Sequence, residues 1–147
     1  MNDPSFSRVS QSSQALYGPR KLLICGFTPE GQNMIDEVIA ASAIADLPLV
    51  FAGSTDLESP LSDILPRAND TGRGEVSRMP AAVIMAGITE KELHQLIARY
   101  RQTGLPDPLW ATLTPTSEHW TLRQLLKELS AERAALSKQS SPARPTD

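Results

Sequence analysis

The sequence predicts an α/β domain: a tandem βαβα repeat whose four strands form one mainly parallel sheet flanked by helices. Three observations predict it. Four short apolar runs alternate with amphipathic stretches, the pattern of strands joined by crossover helices. Two of those runs end in glycine with a threonine two residues on, Gly26 with Thr28 and Gly87 with Thr89. The two pairs stand 61 residues apart, and Leu61 with Leu122, Ile64 with Leu125 and Leu65 with Leu126 share that offset. A tandem duplication accounts for it; the competing account is the generic likeness of any two βαβα units. A two-layer, ferredoxin-like α+β sheet with helices on one face is the alternative fold, since periodicity fixes faces and not strand order.

The first strand is Lys21–Phe27, a continuous apolar run fit for burial on both faces. Thr28 reads as an N-cap and Pro29 as the first helical residue, where its missing N–H costs nothing. Ile35, Val38, Ile39 and Ser42 mark the inner face of a helix ending near Asp46, and Leu49–Gly53 is the second strand. Ser59-Pro60 repeats the cap-then-proline signature before a short helix through Leu61, Ile64 and Leu65. Residues 67–79 are polar, contain two glycines and show no period, so they read as a flexible linker. Ala81–Gly87 is the third strand. Thr89 and Glu92 form a capping box ahead of a Leu93, Leu96, Ile97, Tyr100 face, and Gly104 stops that helix. Leu109–Leu113 is the fourth strand. The closing helix has Thr121 as cap, Gln124 as its capping-box partner, Trp120 stapling onto Leu125, and a stripe through Leu122, Leu126, Leu129 and Leu136. The halves are thus about 21–66 and 80–138 of a single domain spanning 19–138, with residues 1–18 and 139–147 expected to be disordered.

Composition narrows the function classes. The chain has 147 residues, 14 basic against 17 acidic, and a net charge of -3, which argues against a nucleic-acid partner. The lone Cys25 cannot form an internal disulfide and reads as a small buried hydrophobe in a reducing compartment. No run reaches the roughly 18 apolar residues of a membrane span, and the N-terminal stretch lacks the apolar core of a secretory signal. A cytoplasmic protein, with peripheral attachment to the cytoplasmic face of a membrane left open, is the expectation.

Candidate sites fall in two groups. At strand ends, Thr28, Ser54, Thr89, Thr114 and Thr116 are hydroxyl residues that could bind a small molecule or anion, and each also reads as a cap or turn residue. For partner binding, Trp120 precedes a helix in a polar turn, His119 lies beside it, and Arg67, Arg73 and Arg78 form a basic cluster suited to an acidic partner. The competing readings are a hydrophobic staple for Trp120 and a solvated linker for the arginines. Two histidines, His94 and His119, lack a third ligand at metal spacing, and no nucleophile–base set or paired carboxylates stand out. No metal, cofactor or catalytic residue is expected.

The second half resembles a family of bacterial domains of unknown function, with cyanobacterial and plastid relatives. Gly87-Ile88-Thr89-Glu90, Gly104-Leu105-Pro106 and the stretch from Thr114 to Leu126 with Trp120-Thr121-Leu122 carry the resemblance, and Cys25-Gly26-Phe27-Thr28 is the first-half counterpart. It departs at Ile88, where an aromatic is expected, and over the central linker. The chain is also similar in general organisation to a plastid protein that helps photosystem I accumulate. The resemblance implies a non-catalytic interaction protein, an assembly or accessory factor whose partner is a membrane-complex subunit or another assembly factor. A small-molecule or anion-binding regulatory domain is the alternative.

Overall fold

The computed structural model describes residues 14–140, with side chains to residue 137. Elements follow in the order β1 (Lys21–Cys25), α1 (Pro29–Ala41), β2 (Leu49–Ala52), α2 (Leu61–Ile64), β3 (Ala82–Ala86), α3 (Glu90–Arg101), β4 (Leu109–Thr112) and α4 (Leu122–Ser140). Short 3-10 turns at Ser54–Asp56 and Ser117–His119 precede α2 and α4.

The strands make one mixed sheet of order β2-β1-β3-β4. β1–β2 and β3–β4 are parallel, and the central β1–β3 pair is antiparallel. Each strand's alternating side chains feed two cores. Leu23, Cys25, Ile84 and Ala86 face α2 and the start of α4, through Leu61, Ile64, Leu122 and Leu126. Leu22, Ile24, Val83 and Met85 face α1 and α3, through Ile35, Val38, Leu96 and Tyr100. Helices cover both faces, which rules out the ferredoxin-like alternative. All five residues of β1 and of β3 are buried, as two covered faces require.

The 61-residue repeat is built as a pseudo-twofold. The β1–β3 register pairs Leu23 with Ile84, residues related to each other by the repeat offset, so the dyad passes through that pair. It emerges between the two helix starts, where Pro60 and Thr121, again 61 apart, form an isolated antiparallel bridge. There the Leu61 N–H donates to the Trp120 carbonyl and the Leu122 N–H to the Ser59 carbonyl, both at 3.0 Å. Each bond is the other's image. The cap-then-proline reading of Ser59-Pro60 is corrected accordingly: Pro60 occupies the N-cap position and makes no side-chain cap bond, because Ser59 contributes its carbonyl across the dyad instead.

Boundaries shift as well. α1 ends at Ala41 rather than near Asp46, and the strands stop one or two residues short of the expected glycine, leucine and phenylalanine ends. Residues 14–18, expected within a disordered arm, are hydrogen-bonded: the Leu16 N–H donates to the Ile88 carbonyl and the Gly87 N–H to that of Tyr17. Arg20 then forks onto both Glu92 oxygens at 2.8 Å. At the other end α4 continues to Ser140, past the expected boundary. The expected disorder of 1–13 and 141–147 lies outside the described residues.

The 67–79 connection, read as flexible, carries many contacts. Asp70 and Thr71 pair with the outer side of β2, Lys21 Nζ donates to the Arg67 carbonyl, and Gln32 bridges to Gly74 and Glu75. Its polar sequence satisfies backbone groups on a sheet edge, a role that shows no hydrophobic period.

Gly26 and Gly87 occupy repeat-equivalent corners with φ of 73° and 66°. A Cβ at Gly26 would meet the Met79 and Pro80 carbonyls, and one at Gly87 would stand 2.5 Å from the Gly18 carbonyl and the Arg20 nitrogen. Both clashes are with backbone, which cannot rotate away. Gly26→Ala and Gly87→Ala should each lower unfolding stability by about 2–4 kcal/mol, against about 1 kcal/mol for Gly104→Ala, whose left-handed site is open. Urea titration of the three variants checks this; equal losses would mean that strain alone, without the corner packing, sets the cost.

Candidate functional site

The antiparallel β1–β3 pairing divides the hydroxyl residues between opposite ends of the sheet. Thr28 and Ser54 follow β1 and β2 at one end; Thr89, Thr114 and Thr116 follow β3 and β4 at the other. They form no common site, and most are engaged locally. Thr28 Oγ1 accepts from the Gly31 N–H at 3.0 Å, capping α1. Thr89 Oγ1 accepts from the Glu92 N–H at 3.0 Å while Glu92 accepts from the Thr89 N–H, the expected capping box. Thr114 and Ser117 bond reciprocally, each side-chain oxygen taking the other's backbone N–H. Thr116 is exposed and makes no side-chain cap bond, and Ser54 is exposed at the start of its 3-10 turn.

The arginines of the connection are not one cluster. Arg67 pairs with Asp56 at 2.8 Å. Arg73 bridges Asp36 and Asp70 and lies 4.7 Å above the Phe51 ring. Both are held within the fold, fixing the connection against β2. Arg78 has no ion-pair partner among the described residues. Trp120 is half-buried against the core formed with α2 and α4, and its backbone is bound on both sides, to Leu61 and to Ser117. That is the packing role offered by the staple reading. His119 is exposed, with Nε2 3.3 Å from Glu118, and His94 is exposed on α3. Cys25 is sealed in the core, where burial pushes its thiol well up. Among the described residues no group of three or more His, Cys, Asp or Glu side chains could hold a metal ion.

Ser54 and Arg78 do meet, in a groove of about 590 Å³ between α4 and residues 76–80. Leu57, Val76, Met79 and Leu126 give it an apolar lining. Arg78, Arg123 and Lys127 bring three cations to it, and Arg123 also pairs with Glu58 at 2.5 Å, both groups largely in solvent. Val76 is 70% exposed, so its side chain lies open to whatever enters. Arg123 and Lys127 are not among the candidates singled out from the sequence. The available signal was their i, i+4 spacing beside Leu126, which puts two cations along one border of that stripe.

The repeat-equivalent position carries different chemistry. Tyr17 is the 61-residue counterpart of Arg78, and its hydroxyl donates to Glu118 at 2.6 Å. Glu118 in turn corresponds to Leu57. One half therefore places an exposed tyrosine–carboxylate contact at this corner, and the other places an arginine beside an apolar leucine there.

Residues 81–136 match a family described as a domain of unknown function, DUF3783. The match covers the second repeat, β3 into α4, and not the first-half counterpart that the resemblance extended to. No curated protein and no solved structure matches the chain. Among the described residues no helix is long and apolar enough to cross a membrane.

The Thr89 capping box has a measurable signature. Arg20 first, and the Thr89 N–H with it, hold the Glu92 carboxyl down at about 2, from an ordinary value of 4.5. A carboxylate with a depressed folded pKa stabilises the fold above its unfolded value and loses that contribution as pH falls. Unfolding midpoints of the wild type and Glu92→Gln should therefore differ at pH 7 and converge between about pH 4.5 and 2. A gap that stays constant across that window would show that the Glu92 charge does not carry the effect.

Proposed function

We propose that this chain is a non-catalytic interaction protein, an assembly or accessory factor that binds a segment of a protein partner in the groove between α4 and residues 76–80. One observation carries the reading: an apolar lining flanked by three cations in a chain of net charge -3. Such a surface suits a partner segment that combines apolar side chains with carboxylates. The apolar contacts supply affinity, while the charges set orientation and accelerate encounter. The exposed histidines, the sealed Cys25 and the locally engaged hydroxyls favour binding over catalysis. Placement at the cytoplasmic face of a membrane, on a photosynthetic complex or another assembly factor, rests on the resemblance of the second half alone.

The same groove also sustains the second reading, a site for a small anionic molecule. Ser54, Ser77 and Ser130 add hydroxyls to the three cations there. A ligand that binds only the folded chain raises its stability, so a phosphorylated metabolite taken up there should raise the melting temperature in a dose-dependent way.

Charge reversal separates fold from function. The double substitution Arg78→Glu, Lys127→Glu touches only exposed side chains and should leave the melting curve within a degree or two. It should weaken partner capture at least about tenfold at low salt, with the difference shrinking as salt rises. Trp120→Ala should instead cost about 2–4 kcal/mol of stability, since most of the indole packs against the core, and leave capture intact in the surviving folded fraction. Partners retained equally by the double variant, or lost with Trp120→Ala at unchanged stability, would move the binding surface from the groove to the Trp120 turn.

A further inference from the structure

We infer that the outer edge of β4 is a second docking site, one that takes a short turn of a partner polypeptide through backbone hydrogen bonds. The repeat supplies the argument. Register and ladder bonds show that Leu109 and Leu113 donate inward, to Ala81 and Met85, so the alternate residues Trp110 and Thr112 point their backbone groups outward. Their counterparts on β2 are Leu49 and Phe51, and there three of the four outward groups are paired. The Leu49 N–H donates to Asn69 Oδ1 at 2.8 Å, its carbonyl accepts from the Asp70 N–H at 2.7 Å, and the Phe51 N–H donates to the Thr71 carbonyl at 2.8 Å.

The second half lacks that cover at Trp110 and Thr112; α4 reaches the edge only at its start, where Arg133 Nη2 donates to the Pro108 carbonyl at 2.8 Å. Residues 130–132, the counterparts of 69–71, are wound into α4, which runs on to Ser140 where α2 stops at Ile64. Among the described residues nothing accepts from or donates to the outward groups of Trp110 and Thr112. An uncovered edge is a template for an added segment. Pro108 and Pro115 bracket the strand and cut short any long β-strand pairing. The occupant is therefore a compact turn with an Asn or Asp side chain for the Trp110 N–H, an N–H for its carbonyl and a carbonyl for the Thr112 N–H. The edge is distinct from the groove, which α4 and residues 76–80 line.

The chain's own cover is the probe. In the isotopically labelled full chain without additions, the Trp110 and Thr112 amides should exchange with solvent as freely as unpaired peptide groups, while those of Leu49 and Phe51 are protected. A synthetic peptide of residues 66–75, added at millimolar concentration, should shift the Trp110 and Thr112 amides; the same peptide with Asn69→Ala should bind about fivefold more weakly. Thr112→Pro removes an outward donor without touching the bonds to β3, and should abolish the peptide-induced shift of the remaining Trp110 amide with the resonances of β1, β2 and β3 unmoved. Protection of Trp110 and Thr112 in the free chain, peptide shifts confined to β2, or no shifts at all would overturn the inference. So would shifts at these amides that grow with protein concentration alone, since they would make a second copy the occupant.

Discussion

The antiparallel pairing of β1 with β3 is the constraint from which the rest of the architecture follows. It places two parallel βαβ units side by side, head to tail, about a dyad through Leu23 and Ile84. Neither unit offers a self-sufficient core. Leu61 and Ile64 of the first half pack in one cluster with Leu122 and Leu126 of the second, and Ile35 and Val38 share theirs with Leu96 and Tyr100. Joining the halves turns two small sheets, each with an exposed inner edge, into one sheet whose central strands are wholly buried. A chain of this size gains a core of useful volume only by that union.

Much of this was legible in the sequence because it is local. Glycine followed by a threonine cap, the Thr89–Glu92 box and the apolar runs each report on a few neighbouring residues, and the structure places them as read. The Thr121 cap is met in part: its hydroxyl accepts the Gln124 N–H at 3.1 Å. The 61-residue offset was visible for the same reason, since it compares local patterns. What could not be read were relations between distant segments. Nothing in Lys21–Cys25 or Ala82–Ala86 announces that they run in opposite directions, and that direction alone scatters the hydroxyl candidates to two ends. Arg67 and Arg73 look like a solvent-facing pair of charges until Asp56, Asp36 and Asp70 are brought to them. The groove is likewise a product of tertiary placement, made by α4 meeting a segment some fifty residues earlier in the chain.

Where the repeat departs from its own symmetry is where the surface becomes chemically distinctive. The fold demands the same backbone at both corners, and Gly26 and Gly87 meet that demand alike. It makes no such demand of Tyr17 and Arg78, of Glu118 and Leu57, or of the residues that follow α2 and α4. Those positions differ between the halves, and they set a tyrosine–carboxylate corner against a cationic one and a paired edge against an unpaired one. Binding surfaces on a symmetric scaffold are expected at such places, since packing constrains the shared positions and leaves the others to selection for partners.

The bonds across the dyad at Ser59, Leu61, Trp120 and Leu122 bear on how the chain is made. The first turn of α2 has a backbone donor whose acceptor lies 59 residues downstream, in Trp120. β1 likewise waits for β3, about 61 positions later in synthesis. At about 5–20 residues per second, a ribosome needs roughly 3–12 seconds to supply that stretch. Throughout it, the apolar edge of Leu22–Cys25 has emerged without its neighbour. Covering β2 early with residues 67–71 closes the other side of the nascent pair, so the growing chain presents one sticky edge rather than two.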